Sequence, residues 1–282
     1  MGAYEYRPPR LTVVKRVVNN QGGTQAPSDF TVHVRLNGAD VGGSPKAGSS
    51  TGTTYVLNPG SYVVGEDADS RYTAAIGGSC AANGAVTLAE GQVKTCVITN
   101  DDKPPVVGKV INAEPEGGIV KIKLPGKRKF RRMREGEQLP NGTIVDTRRG
   151  RITLIAAANK KGGLARADFY DGLFKLTQSK GKRPITTLRL IEKLSCGGAN
   201  KAATTAKKKK RKRRLWGDVK GRFRTKGSFS SATVRGTKWL VQDTCTTTLT
   251  RVKRGKVAVR DFVKRKTILV KAGKRYLAHK RG

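Results

Sequence analysis

Leu11-Thr-Val-Val-Lys-Arg-Val-Val18 sets apolar side chains at every second position, and the same period returns in Phe30-Thr-Val-His-Val-Arg-Leu36, Ser61-Tyr-Val-Val64 and Lys94-Thr-Cys-Val-Ile-Thr99. Side chains two apart share one face of a strand, so this period predicts half-buried β-strands. Turn-forming clusters separate them, among them Asn19-Asn20-Gln21-Gly22-Gly23 and Asn58-Pro59-Gly60. Such residues supply positive φ, a fixed φ or local side-chain hydrogen bonds where the chain reverses. No 3.6-residue period with capping residues interrupts the pattern, and a small β-sandwich of about seven strands is expected.

Charge divides the chain. Its 282 residues hold 58 Lys and Arg against 20 Asp and Glu, a net charge of +38. Residues 1–105 contain nine basic and nine acidic side chains, so the remaining 49 basic and 11 acidic residues carry the whole excess. The break falls at Asp101-Asp102-Lys103-Pro104-Pro105. It predicts a domain over 1–102, a short stiff linker over 103–107 and a basic domain over 108–282. The alternative is one domain with a basic half.

The second part is also stranded, through Gly118–Leu124, Gly150–Ile155, Lys238–Val241, Val257–Arg260 and Thr267–Lys271. The fold class is therefore all-β, a small sandwich followed by a larger β domain. Residues 197–214 are Gly, Ala and Thr followed by Lys207, Lys208, Lys209, Lys210, Arg211, Lys212, Arg213 and Arg214. This segment reads as a solvated, disordered insertion, and its eight charges as a polyanion-binding run. Arg235-Gly236-Thr237 reads as a bend between two strands, with Arg235 either paired to Asp218, Asp243 or Asp261 or exposed.

Four cysteines fall two to a domain and none forms a C-x-x-C pair. One disulfide in each, Cys80–Cys96 and Cys196–Cys245, is expected in an oxidising compartment, the alternative being four buried thiols in a cytosolic protein. The N-terminal ten residues have no apolar h-region, so an exported chain is expected to be truncated at its start. No apolar stretch approaches the roughly 20 residues of a spanning helix. Two histidines, His33 and His279, stand without a nucleophile or carboxylate at an indicative spacing. His33 alternates with Val32 and Val34 and is expected on the solvent side. Asp168 and Asp171 suffice as turn residues. No enzyme activity, metal, cofactor or small-molecule substrate is expected.

Leu11-Thr-Val-Val-Lys-Arg-Val, Asp29-Phe-Thr-Val, Gly60-Ser-Tyr-Val-Val-Gly-Glu-Asp, Tyr72-Thr and Thr95-Cys-Val-Ile-Thr-Asn-Asp-Asp102 together resemble the prealbumin-like repeats of Gram-positive surface proteins. These belong with collagen-adhesin B-type and pilin domains, which are structural modules of stalks, pili and adhesins. The resemblance implies a self-made Lys–Asn isopeptide bond aided by an acidic residue, with Lys15 and Asn100 at the first-strand and last-strand positions and Glu66 as the acid. Phase agrees: Leu11, Val13 and Lys15 share a face, as do Tyr62, Val64 and Glu66, and Cys96, Ile98 and Asn100. In the alternative, Lys15 snorkels at an edge, Glu66 sits in a turn and Asn100 caps the last strand.

Arg134-Glu-Gly-Glu-Gln-Leu-Pro-Asn-Gly-Thr-Ile-Val, Ala232-Thr-Val-Arg-Gly-Thr-Lys-Trp-Leu-Val241 and Thr250-Arg-Val-Lys-Arg-Gly-Lys-Val resemble a FecR-like domain. The membrane-spanning and cytoplasmic parts of that family are missing, so the resemblance implies an all-β envelope domain without the signalling role. The functional expectation is a bacterial, secreted or cell-surface, non-enzymatic structural or adhesive module. Its partners would be anionic polymers: cell-wall polymer, phospholipid headgroups or extracellular DNA. The alternative is an intracellular nucleic-acid-binding protein that uses the basic domain electrostatically. Few aromatics and the absence of a recognition motif weigh against it.

Overall fold

The computed structural model describes residues 5–196 and 212–281, apart from the side chains of Lys220 and Arg235. The chain divides into two compact units, Met1–Lys103 and Pro104–Gly282. The described residues form strands joined by turns, with a single 3-10 turn at Pro27–Asp29 and no α-helix. None contains a helix long and apolar enough to cross a membrane.

The described residues of the first unit form nine strands: β1 (Arg10–Val18), β2 (Thr31–Leu36), β3 (Ala39–Asp40), β4 (Lys46–Ala47), β5 (Thr53–Val56), β6 (Gly60–Glu66), β7 (Tyr72–Gly78), β8 (Ala85–Leu88) and β9 (Val93–Asp102). One sheet has the order β5-β1-β9-β7; the other is β3-β2-β6-β8, with β4 also on β2. The first and last strands, β1 and β9, lie side by side and parallel. Leu11, Val13, Cys96 and Ile98 on one sheet face Val32, Val34, Tyr62 and Val64 on the other, and all are buried. Inward-pointing alternate residues thus make the sandwich core. Gly84 adopts φ +84° where an added Cβ would lie 1.9 Å from the Val64 carbonyl oxygen. Only glycine fits that turn.

The described residues of the second unit form thirteen strands: β10 (Val110–Lys123), β11 (Arg131–Arg132), β12 (Glu137–Pro140), β13 (Ile144–Ala157), β14 (Leu164–Tyr170), β15 (Leu173–Gln178), β16 (Thr186–Leu190), β17 (Arg213–Lys226), β18 (Ser230–Asp243), β19 (Thr247–Arg254), β20 (Lys256–Asp261), β21 (Thr267–Lys271) and β22 (Arg275–His279). All belong to one sheet, which curls on itself. The beginning of β13 pairs with β15 and its end with β14; the beginning of β17 pairs with β14 and its end with β16. With β15 paired to β16, five strands close a ring.

Closure depends on bending β17. A bulge between Val219 and Arg222 sits opposite Gly236, with Gly221 at φ +136° and Gly236 at φ +70°. An extra residue on one strand bends it and increases its twist. The bend expected at Gly236 is instead the point where a continuous β18 faces a bulge in β17. Inside the ring Phe169, Phe174, Phe223 and Trp239 pack together, and the Trp239 indole N–H donates to Thr225 Oγ1 at 2.8 Å. A buried indole needs such a partner.

Candidate functional site

Lys15 is the most unusual residue of the sandwich, a lysine with a fully buried side chain. Its strand places it two residues beyond Val13, on the core face, and the backbone of Gly48 closes over its stem. A Cβ at position 48 would lie 2.7 Å from Lys15 Cγ. The Phe30 ring stands 4.4 Å from the amine and packs edge-on against Tyr72.

Burying an ammonium among apolar groups is costly without a partner. Glu66, at the end of β6 in the facing sheet, supplies one: the Lys15 amine donates to its carboxylate, of which only 6% is exposed. Burial pushes the Lys15 pKa down, and the hydrogen bond and charge of Glu66 only partly offset this. Loss of the proton is therefore easier here than in water, and the neutral amine is a nucleophile.

Asn100 is the third member. In the parallel pair β1 and β9, Lys15 lies opposite Ile98 and Val17 opposite Asn100. Lys15 and Asn100 are thus diagonal neighbours on one face, about 4.8 Å apart across the strands and about 6.6 Å along them, within reach of a long side chain. Asn100 is 1% exposed, and neither its carboxamide oxygen nor its nitrogen has a hydrogen-bond partner. A buried, unsatisfied amide is expensive. Lys15 and Glu66 are thus hydrogen-bonded to each other, and Asn100 is buried on the strand beside Lys15. The alternative positions fail for two of the three: Lys15 is no edge lysine, and Asn100 lies within β9.

The sequence reading missed the anchor beside this group. Asp102, 4% exposed at the end of β9, accepts the backbone N–H groups of Asn20, Gln21 and Gly23 at 2.9, 2.8 and 2.6 Å. It ties the chain after β1 to the end of β9, fixing the two strands that carry Lys15 and Asn100. The turn cluster at 19–23 was visible, but nothing local marked an acid some 80 residues on as its partner.

Both expected disulfides are present, Cys80–Cys96 with Cα atoms 5.1 Å apart and Cys196–Cys245 at 5.5 Å. They join segments separated by 16 and 49 residues.

Two expectations need correction. His33 is 8% exposed, although its strand phase turns it away from the core. The chain after β2 and the chain after β6 both fold over it, so that Nδ1 lies 3.0 Å from Asp40 and Nε2 3.3 Å from Asp67. The His33 contact, with help from the Ser44 hydroxyl, holds the Asp40 carboxyl below its usual range despite desolvation. The Ser44 hydroxyl donates to Asp40 at 2.8 Å.

The second correction concerns the basic run. Lys207, Lys208, Lys209, Lys210 and Arg211 lie outside the described residues, and Lys212 is exposed. Arg213 and Arg214, expected in the insertion, begin β17 instead. The Arg213 guanidinium contacts the buried Asp243 at 2.8 Å and the Glu192 carbonyl at 2.8 Å. Arg214 pairs with Asp171 at 2.6 Å. Ladder bonds and scarce carboxylates captured both. The Arg235 side chain lies outside the description. Asp218 pairs with Arg254, and Asp261 accepts the Tyr276 hydroxyl. Asp168 accepts the Thr153 hydroxyl, and His279 is exposed on β22. Among the described residues no cluster of three His, Cys, Asp or Glu side chains could hold a metal.

No curated protein matches the chain. Residues 6–98 match the family model described as a prealbumin-like fold domain, and the sandwich of the first unit is accordingly prealbumin-like, a surface-protein fold that suggests a structural or adhesive module.

Proposed function

We propose that the protein is a non-enzymatic structural or adhesive module of the bacterial envelope, secreted or displayed at the cell surface. In this reading the prealbumin-like unit is locked by an isopeptide bond between Lys15 and Asn100. The observation that carries it is the buried Lys15 amine held by Glu66 one strand from a carboxamide with no other partner. Glu66 takes a proton from the Lys15 ammonium, and the amine attacks the Asn100 side-chain carbon. A C–N bond forms and the bond to the amide nitrogen breaks, with Glu66 handing its proton to that departing nitrogen. Glu66 then takes the second proton from the attacking nitrogen and passes it to the ammonia, which leaves as ammonium.

Two disulfides support an oxidising, extracellular setting. The excess charge, all of it beyond residue 105, supports attachment of the second unit to anionic polymers: wall polymer, phospholipid headgroups or extracellular DNA. Such attraction needs no particular fold and weakens with salt.

Intact mass tests the cross-link. The full chain should be one ammonia lighter than its sequence mass after reduction, and Glu66→Ala should restore the full mass. A wild-type chain of unreduced sequence mass would refute the bond.

A further inference from the structure

Six strands of the second unit, β15, β16, β17, β18, β20 and β21, lie side by side. Their registers align Lys175, Arg189, Lys226, Ser231, Arg260 and Thr267 in one row across the sheet, each opposite the next. At about 4.8 Å per strand, this row spans about 24 Å. A neighbouring row sets Arg224 between Thr187 and Thr233, and its guanidinium Nε donates to Thr233 Oγ1 at 3.1 Å. The two rows line an open cleft of about 710 Å³. The interleaved residues Leu176, Leu188, Thr225, Ala232 and Val259 are buried in the core. The cleft is therefore the outer face of a well-packed sheet.

Its charge is unbalanced by construction. Lys175 faces Arg189 directly across strands, and Arg189 faces Lys226. Like charges so placed destabilise a sheet. No carboxylate among the described residues lines the cleft. Among the described residues none of its five cations is ion-paired, whereas Arg131, Arg148, Arg213, Arg214 and Arg254 all are. The acids of this unit are placed elsewhere, and the cleft keeps a band of fixed positive charge flanked by hydroxyls.

We infer that this cleft, rather than the Lys207–Arg214 run, is the seat for a linear polyanion carrying phosphate or sulfate esters on a polyol or sugar backbone. This rests on the anionic-polymer reading above. Arginine and lysine suit ester oxygens, and the threonine and serine hydroxyls suit the hydroxyls between them. Single-stranded nucleic acid is disfavoured because it needs a ladder of aromatic faces. Among the described residues the cleft has one aromatic, Phe262, whose ring lies 5.5 Å from the Lys226 amine.

The test compares two triple variants of the full chain, Arg189→Ala/Lys226→Ala/Arg260→Ala in the cleft and Lys127→Ala/Arg128→Ala/Lys129→Ala on an exposed turn. Both remove three charges. Probes are poly(glycerol phosphate), a heparin oligosaccharide and an oligothymidylate of matched charge, titrated by fluorescence anisotropy over a salt series. The cleft variant should bind its preferred ester polymer about tenfold more weakly, at a few tenths to one kcal/mol per exposed contact. Its salt slope should fall by about 2, from about 0.7 per neutralised charge. The turn variant should keep both values. Preference between the phosphate and sulfate probes identifies the source of the ester, and either supports the site.

Thermal unfolding guards against misfolding. Removing like-charge neighbours should leave the midpoint of the cleft variant unchanged or higher, and a lowered midpoint would overturn the assignment. Equal losses in the two variants would overturn the cleft and leave general polyanion binding standing. Tighter binding of oligothymidylate would overturn the polymer class. No binding of any probe at low salt would remove the anionic-polymer function itself.

Discussion

Replacing Asp102 with alanine removes the acceptor shared by the N–H groups of Asn20, Gln21 and Gly23. Hydrogen bonds to a charged group contribute about 1.5–3 kcal/mol each, but bonds to one carboxylate are not additive. Asn20 is exposed and Gln21 and Gly23 half-buried, so water can replace part of what is lost. About 3 kcal/mol is the expected destabilisation of the first unit, or a drop in its melting midpoint of about 15 °C for some 100 residues. Both tryptophans, Trp216 and Trp239, belong to the second unit, so their fluorescence follows that unit alone. Thermal unfolding of the full chain, followed by far-ultraviolet circular dichroism and tryptophan fluorescence together, separates the two. The dichroism step without a fluorescence counterpart should move down. A shift of less than about 1 kcal/mol would refute the reasoning that these bonds hold the ends of β1 and β9 together.

Losing Cys196–Cys245 through a double serine substitution should cost the second unit about 4 kcal/mol, since it closes a loop of 49 residues; the denaturant midpoint read by tryptophan fluorescence would show it. The shorter Cys80–Cys96 loop should be worth about 3 kcal/mol to the first unit, read by dichroism. Tyr276 is pushed up to about 12 by burial and by its hydrogen bond to Asp261. Its folded form holds the proton longer than the unfolded chain, so its stabilising contribution is intact below about pH 10 and is lost as pH rises towards 12. Tyr276→Phe should flatten that alkaline limb, and an unchanged limb would count against the contact. Burial raises the Asp146 pKa, but the Arg148 guanidinium and backbone N–H outweigh it and leave it lowered. Its contribution is present above the ordinary carboxylate range and disappears as acid brings the pH down through the lowered value, so Asp146→Asn should weaken the acid dependence.

Period-two alternation exposed Lys15, Glu66 and Asn100 as core-facing because a strand sends alternate side chains to one side whatever its neighbours are. The same rule misplaced His33. Phase tells which face a side chain takes, not what the rest of the chain lays over that face, and Asp40, Ser44 and Asp67 cover it. Composition made Arg213 and Arg214 look like the end of a solvated run, since the eight charges are continuous in sequence. Their partners, Asp243 and Asp171, are distant along the chain, and only the sheet brings them near. The cleft cations were partly legible as Lys175-x-Thr177, Thr187-x-Arg189 and Arg224-x-Lys226. What joins them into a row is register, including the parallel pairing of β16 with β17. Local residue patterns do not encode that pairing.

Peptide mapping after reduction tests the central claim most directly. Trypsin cuts after Arg10 and Arg16 but cannot cut at an acylated Lys15, so a cross-linked chain should yield residues 11–16 joined to the peptide beginning at Thr95 and containing Asn100. That branched peptide, one ammonia lighter than its two parts, is expected from the wild-type chain and should be missing from Glu66→Ala. Recovery of free, unmodified peptides ending at Lys15 and containing an intact Asn100 from the wild-type chain would contradict it.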